Sequence, residues 1–152
     1  MMLIKINRNY FWANIFFDQL AECGVKYACI SPGSRSTPLT YAISQNKKIK
    51  SYVIVDERSS GFFALGIAKQ TNSPVIVVTT SGTAAAELYP AIIEAYQNRV
   101  PLIICTADRP TYLQNSGANQ TINPNNHYNN NTRFFYDTGL PNIVLTKIKQ
   151  LK

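Results

Sequence analysis

The chain has 152 residues, the length of one domain, and this is enough to build a single buried core. Apolar residues make up 45% of it and charged residues 15%, which is typical of a globular protein and excludes a disordered chain. The net charge of +7 is concentrated in two short lysine clusters, at residues 47–50 and 147–152, which we interpret as solvated faces rather than a nucleic-acid surface.

Membrane insertion, secretion and metal binding are not expected. The longest apolar runs have the length of strands, and residues 1–7 are too short and too polar for a secretory signal, so we predict a cytoplasmic protein. Cys23, Cys29 and Cys105 lie far apart among apolar neighbours and are interpreted as buried thiols. With one histidine, His127, and no Cys-x-x-Cys pair, we expect no metal ligands in this chain.

The first half of the chain alternates between helical and strand patterns. Trp12, Phe16, Leu20 and Cys23 share one face of an amphipathic helix that ends at Gly24. A buried strand at residues 25–30 leads into a turn at 31–36, and Pro38 suits the start of a second helix. A second strand is predicted at 52–55. A third helix is predicted from residue 59 or 60 to 69, with small residues at 61, 64 and 68 that allow close packing.

The alternation continues through the second half. Residues 74–80 read as a central parallel strand because they are apolar on both faces. A turn at 81–83 is expected to cap a helix over 84–96, which Pro90 should kink or break, and another buried strand covers 102–106. The predicted fold is therefore α/β, a single domain with a mostly parallel sheet flanked by helices.

Residues after 115 differ in character. Residues 119–131 are rich in asparagine, and we expect an ordered loop at their start and a mobile surface later. Val144, Ile148 and Leu151 suggest a closing helix, so residues 123–152 are predicted to be a loop followed by a closing segment of the same domain.

Four predicted strands end in polar or charged turns, at residues 31–36, 56–58, 80–83 and 107–110. In an open parallel sheet, ligands bind beyond the carboxyl ends of the strands, so these turns should form one site. The glycine-rich motifs of dinucleotide and P-loop sites are absent. A serine hydrolase is disfavoured because His127, the one available base, lies in the least structured segment.

Five stretches of sequence carry a family resemblance. They are, in chain order, Ser31-Pro32-Gly33-Ser34-Arg35-Ser36-Thr37-Pro38, Asp56-Glu57-Arg58, Thr80-Ser81-Gly82-Thr83-Ala84, Thr106-Ala107-Asp108-Arg109-Pro110 and Gly117-Ala118-Asn119-Gln120-Thr121-Ile122. Together they resemble the N-terminal, pyrimidine-binding domain of the MenD family of thiamine-diphosphate enzymes. These are the 2-succinyl-5-enolpyruvyl-6-hydroxy-3-cyclohexene-1-carboxylate synthases, transferases of menaquinone biosynthesis. The resemblance covers about residues 9–122.

The resemblance assigns roles to individual residues. It implies that Glu57 is the catalytic acid, which hydrogen-bonds N1′ of the aminopyrimidine ring and favours the imino tautomer that removes the C2 proton. It places a substrate, isochorismate, near Arg35, Arg109 and three polar side chains, Ser34, Asn119 and Gln120. Thr80, Ser81 and Gly82 would lie near the cofactor, although a plain strand-to-helix turn explains them equally well. Either arginine could instead pair with an acid: Arg109 with Asp108, and Arg35 with Glu57.

The resemblance also implies an activity and its cofactors. The whole enzyme would use thiamine diphosphate with Mg²⁺ or Mn²⁺ to decarboxylate 2-oxoglutarate and add the succinyl-semialdehyde unit to isochorismate. It would be a homodimer or tetramer in which Glu57 serves a cofactor held by the other subunit. Family members have three domains, and the diphosphate-binding domain is absent from this chain, so the chain alone is expected to be inactive.

Two alternatives remain open from the sequence. Another thiamine-diphosphate enzyme, such as acetohydroxyacid synthase, would share the fold and the glutamate but generally lacks both the Gly-Ser-Arg-Ser-Thr-Pro and the Ala-Asp-Arg-Pro motifs. A non-catalytic binding or assembly module could also keep the shape of the site.

Overall fold

A computed structural model describes residues 7–113, 116–121 and 128–141. Its helices and strands, in chain order, are α1 (Arg8–Glu22), β1 (Tyr27–Ile30), α2 (Thr37–Gln45), β2 (Lys50–Val53), α3 (Glu57–Thr71), β3 (Val75–Thr79), α4 (Thr83–Ala86), α5 (Tyr89–Gln97) and β4 (Leu102–Thr106). Single 3₁₀ turns follow at Thr111–Leu113 and Asn129–Asn131. The predicted alternation of helices and strands is confirmed.

The four strands form one parallel sheet in the order β2-β1-β3-β4. Every residue of β3 is buried, as expected for a central strand whose side chains are apolar on both faces. Because all the strands run in the same direction, their carboxyl ends meet at one edge of the sheet. This confirms the α/β fold and the predicted convergence of the four polar turns.

Helices cover both faces of the sheet. On one face, α1 and α2 pack against Ile30, Ile76 and Val78. On the other face, α3 and α5 pack against Cys29, Val75 and Val77. Alternate residues of β1 and β3 therefore belong to opposite cores, as the pleat of a strand requires. The α3 helix also packs closely against α5. Gly61 permits this approach, since a Cβ added there would lie only 2.9 Å from the Ala91 Cβ.

The predicted bounds of the second strand and the third helix are wrong. β2 pairs residue by residue with β1, from Lys50 to Val53, so it begins and ends two residues earlier than the strand predicted at 52–55. Val55, which was predicted to lie in the strand, is 80% exposed. The third helix starts at Glu57 rather than at 59 or 60, because Asp56 Oδ1 accepts a hydrogen bond from the Ser59 N–H at 2.7 Å and caps it.

The Asp56 cap makes the stability of α3 depend on pH. The Ser59 backbone N–H, which donates to this carboxylate, lowers the pKa of Asp56 below its ordinary value of 3.8. A lowered pKa in the folded state stabilises the fold above the unfolded-state value, and this contribution is lost as the pH falls through the lowered value. We expect Asp56→Ala to melt at a lower temperature than the wild type at pH 7, and the difference to shrink below about pH 4.

Asp56→Asn is the matched control, because it keeps an accepting oxygen without a titrating charge. Its melting temperature at pH 7 should stay near that of the wild type. Equal melting temperatures of Asp56→Ala and the wild type at pH 7, followed by circular dichroism, would show that the cap contributes nothing.

The break predicted at Pro90 is confirmed, and it divides the expected helix into α4 and α5. Pro90 lies in the first turn of α5, where its missing N–H costs no hydrogen bond. The expected cap from the 81–83 turn is wrong, because α4 begins at Thr83 without a side-chain cap. The Ser81 hydroxyl is used elsewhere, as described below.

The expectation of a mobile surface late in residues 119–131 is wrong at Tyr128. This side chain is 9% exposed, and its hydroxyl donates to the Ala85 carbonyl at 2.9 Å. Asn131 donates to the Tyr89 hydroxyl at 2.9 Å, so this segment is fastened to α4 and α5. Residues 122–127, including His127, and the predicted closing helix lie outside the described residues.

The cysteine prediction is confirmed at one position and wrong at another. Cys29 is fully buried in the sheet, and burial raises the pKa of its thiol to about 12. Cys23 is exposed because α1 ends at Glu22, so Cys23 caps the helix and does not continue its buried face. In the part of the chain that the structure describes, no helix is both long enough and apolar enough to cross a membrane.

Candidate active site

The loops after β1 and β3 meet across the centre of the sheet. The chain leaves β1 toward β2 on one side and leaves β3 toward β4 on the other, so the carboxyl ends of β1 and β3 form the topological switch point. The two loops touch: a Cβ added at Gly33 would lie 2.5 Å from the Thr80 Cβ. A crevice at this position is where parallel α/β sheets bind their ligands.

Arg35 bridges this switch point. Its Nη1 donates to the Ser81 Oγ at 3.2 Å and to the Gln120 Oε1 at 3.2 Å. Ser81 Oγ in turn donates to the Gln120 carbonyl at 2.7 Å. Among the described residues, the Nε and Nη2 groups of Arg35 have no hydrogen-bond partner. A guanidinium with two adjacent free donors can bind a carboxylate through two parallel hydrogen bonds.

Arg109 is used differently. Both its Nε and its Nη2 donate to the Asn119 carbonyl, at 2.9 and 2.6 Å, so the donor pair that could grip a carboxylate holds the backbone of the 119–120 loop. Asp108 accepts from the backbone N–H of Arg109 at 2.7 Å and does not pair with its guanidinium. Neither arginine forms an ion pair with a described acid, which removes the salt-bridge alternative for the described part of the chain.

Gly82 allows the 119–120 loop to come close. It has φ 69° and ψ −130°, a conformation that only glycine adopts without strain. A Cβ at this position would lie 2.5 to 2.7 Å from the carbonyl carbon, oxygen and Cα of Gln120. Gln120 itself has φ 53°. The close contact fixes the position of the Gln120 side chain next to Arg35.

We expect Gly82→Ala to destabilise the fold and displace the 119–120 loop. The strained backbone alone costs about 1–3 kcal/mol, and the collision with Gln120 adds to it. Denaturant unfolding measures the loss. Gly66→Ala is the matched control, since Gly66 lies within α3 with no atom near its missing Cβ, and this change should stabilise the helix by about 0.5–1 kcal/mol. Similar effects of the two substitutions would contradict the structure.

Glu57 lies at the same edge of the sheet but apart from the arginine cluster. It is the first residue of α3, and residues 54–56 separate it from β2. Its side chain is half-buried and has no hydrogen bond or ion pair with any described residue, so it does not pair with Arg35 or Arg58. A half-buried carboxyl group without a protein partner is available to a ligand.

The structure thus brings together Arg35, Ser81 and Gln120, and joins Arg109 to the backbone of Asn119. It does not bring Glu57 into contact with them. Ser34 is exposed in the β1 loop, where its carbonyl accepts a hydrogen bond from the Thr37 hydroxyl at 2.7 Å. Thr80 is buried, and its hydroxyl has no partner among the described residues.

A metal-binding cluster is not found in the described ranges. No group of three or more histidine, cysteine, aspartate or glutamate side chains in residues 7–113, 116–121 and 128–141 could hold a metal ion.

Comparison with known proteins shows to which family the chain belongs. Residues 12–128 match the family model described as "Thiamine pyrophosphate enzyme, N-terminal TPP binding domain". The chain belongs to this thiamine pyrophosphate enzyme family. Thiamine pyrophosphate is the same compound as thiamine diphosphate, and the matched region contains the β1 loop, Glu57 and the turns after β3 and β4.

Three similar proteins are each named 2-succinyl-5-enolpyruvyl-6-hydroxy-3-cyclohexene-1-carboxylate synthase. The chain is 50% identical to the one from Haloquadratum walsbyi over 146 residues, which is 96% of this chain and 24% of that protein. It is 46% identical to the one from Crocosphaera subtropica over 152 residues, 100% of this chain and 26% of that protein. The Oceanobacillus iheyensis protein is 52% identical over 126 residues, 83% of this chain and 22% of that protein. The chain therefore spans about a quarter of the length of the curated relatives it matches.

Proposed function

We propose that this chain is the pyrimidine-binding part of a thiamine-diphosphate synthase that decarboxylates 2-oxoglutarate and transfers the succinyl-semialdehyde unit to isochorismate. The observation that carries the proposal is the arrangement at the carboxyl edge of the sheet. Among the described residues, Glu57 has no hydrogen bond or ion pair there, and Arg35 at the switch point keeps two donors without a partner. The shared name of the similar proteins supports the choice of substrates.

The residues present fit one end of the cofactor. Glu57 is half-buried at the start of α3, so its carboxyl group can share a proton with a ring nitrogen without competition from a described side chain. When bound, thiamine diphosphate would supply a carbon nucleophile that also stabilises the carbanion left by decarboxylation. Glu57 would hold the proton at the pyrimidine N1′ and thereby bias the tautomer of the ring.

Thr80, Ser81 and Gly82 would line the cofactor side of the crevice. Thr80 is buried, and its hydroxyl is unsatisfied among the described residues, so it can donate to a bound ring or accept from it. The Ser81 hydroxyl is occupied by Arg35 and Gln120, which makes it a positioning residue.

A further domain would hold the metal ion and the diphosphate group of the cofactor. The resemblance to the MenD family implies that a further domain would bind Mg²⁺ or Mn²⁺ and the diphosphate. The described residues of this chain contain no cluster of metal-binding side chains. The site would then be completed when that domain covers the carboxyl edge of the sheet.

Arg35 would recognise the substrate, and Arg109 would shape the site. Both 2-oxoglutarate and isochorismate carry two carboxylates, and the free Nε and Nη2 of Arg35 match one of them. Arg109 would act through the 119–120 loop, which it holds next to Arg35. Ser34, Asn119 and Gln120 would add neutral hydrogen bonds around the same anion.

A dimer or larger homo-oligomer is part of the proposal. Phe62 and Phe63 in α3 are 43% and 47% exposed, and the Phe63 ring lies 5.3 Å from the Tyr52 ring of the edge strand β2. An apolar patch of this kind is typical of a subunit interface. A cytoplasmic location belongs to the same proposal.

Substrate-specific turnover of the complete protein tests the function. With thiamine diphosphate and Mg²⁺, it should consume 2-oxoglutarate and isochorismate together, and it should form no acetolactate from pyruvate. Acetolactate formation would favour acetohydroxyacid synthase instead. Absence of any cofactor-dependent turnover would favour the non-catalytic module.

A further inference from the structure

The carboxyl edge of the sheet has a second feature, which is a set of three buried hydroxyl groups without a hydrogen-bond partner among the described residues. Ser31, Ser60 and Thr79 are each 0% exposed. Their side-chain oxygens have no hydrogen-bond partner among the described residues. Buried polar groups in native proteins are almost always satisfied by protein or by ordered water, so three such groups in one region require an explanation.

The register of the sheet places two of the hydroxyls side by side. Ile30 pairs with Val78, and the Ser31 N–H continues the ladder by donating to the Val78 carbonyl at 2.9 Å. Ser31 and Thr79 are therefore the next residues along β1 and β3. Since Cys29 and Val77 face α3 and α5, the alternation of side chains puts Ser31 and Thr79 on that same face.

The third hydroxyl comes from the helix that covers this face. Ser60 precedes Ala64 and Ala68 by one and two turns, and both alanines pack in the core between α3 and the sheet. Ser60 therefore continues the buried stripe of α3 toward the carboxyl edge of the sheet, the edge at which Ser31 and Thr79 lie. Glu57 lies one further turn back on the same stripe, where the helix reaches the crevice.

We propose that Ser31, Ser60 and Thr79 hold an ordered water beneath the first turn of α3, and that this water fixes the position of the Glu57 carboxyl group. Water is the occupant that fits, because the three side chains are sealed from solvent and a buried water typically makes about three hydrogen bonds. The three serine and threonine side chains act as positioning residues. The assignment of Glu57 to the cofactor rests on the proposed function, whereas the water site does not.

A polar anchor has a clear physical reason here. The core residues between α3 and the sheet are apolar, and apolar packing fixes the position of the helix along the sheet without directional bonds. A water bound to two strands and one helix connects three elements with directional bonds. The start of α3 would then hold Glu57 within the small tolerance that proton transfer needs.

High-resolution crystallography of the complete protein tests the water site directly. We expect density for a water within hydrogen-bonding distance of at least two of the three hydroxyls. In Thr79→Val, which keeps the shape of the side chain, the water should be lost and the Glu57 carboxyl group should move or become disordered. Absence of the water from the wild type, or an unmoved Glu57 in the variant, overturns the proposal.

Melting and kinetics separate positioning from packing. A hydroxyl that bonds nothing is costly, so Thr79→Val would raise the melting temperature if no water is present and lower it if one is. With the water, we expect kcat to fall about 10- to 100-fold while KM stays within a few-fold. Thr79→Ser should restore both the melting temperature and kcat. Thr71→Val, at the far end of α3, removes an exposed hydroxyl that donates to the Ile67 carbonyl at 2.7 Å, and it should leave kcat unchanged.

A higher melting temperature in Thr79→Val, or failure of Thr79→Ser to restore kcat, overturns the proposal in favour of simple packing. If the wild-type protein shows no thiamine-dependent turnover, the proposed function fails. The water density, the position of Glu57 and the melting temperatures then still decide the present inference.

Discussion

Glu57→Gln should reduce the kcat of the complete protein by about 10²- to 10⁴-fold, the range of a lost general acid–base group. Glutamine has the same shape as glutamate, but its amide cannot exchange a proton with a ring nitrogen. Glu57 has no hydrogen bond or ion pair with a described residue, so the substitution breaks no polar interaction within the described part of the fold. The melting temperature and the KM for both substrates should therefore change little.

Glu94→Gln is the matched control for this substitution. Glu94 lies near the end of α5, away from the carboxyl edge of the sheet, and among the described residues its carboxylate accepts a hydrogen bond only from Asn98, at 3.3 Å. Steady-state kinetics should show wild-type turnover for this variant. Near-normal kcat in Glu57→Gln, or an equal loss in both variants, would remove the glutamate from the mechanism.

Arg35→Lys should raise the KM for isochorismate by about 10- to 100-fold, which corresponds to the loss of a charge-assisted, two-point contact with a carboxylate. Lysine keeps the charge but cannot bridge Ser81 and Gln120 while it also presents two parallel donors to a carboxylate. We expect kcat to change only a few-fold, because Arg35 binds the substrate without transferring a proton.

Arg99→Lys provides the comparison for Arg35→Lys. Arg99 is exposed between α5 and β4, at the opposite end of the sheet, and should tolerate lysine without a change in KM. Initial-rate measurements over a range of substrate concentrations distinguish the outcomes. A large loss of kcat at unchanged KM in Arg35→Lys would mean that Arg35 acts on the reacting atoms and does not anchor the substrate.

The fold could be predicted from the sequence because its main signals are local. The apolar run that forms β3 has no polar face, and this identifies a strand covered on both sides. The break before Pro90 follows from the missing N–H of proline. The edge strand was misplaced because its bounds depend on pairing with β1, and an apolar run at 52–55 does not reveal that register.

The site could be predicted only in part, because some of its features follow from local sequence and others depend on long-range contacts. Strand ends gather the loops at one edge, so the sequence places Arg35, Ser81 and Glu57 on the same side of the sheet. Which donor of an arginine is free depends on long-range contacts, such as Arg109 to the Asn119 carbonyl, that no local pattern records. The anchoring of Tyr128 was missed because its partners lie about forty residues earlier in the chain.

Exchange of the thiamine C2 proton for deuterium is the most direct test of the central claim that Glu57 activates the cofactor. The complete protein, loaded with thiamine diphosphate and Mg²⁺, is mixed with deuterium oxide, quenched with acid and analysed by proton NMR. We expect the wild type to exchange far faster than free thiamine diphosphate, and Glu57→Gln to approach the rate of the free cofactor. Equally fast exchange in both proteins would contradict the claim.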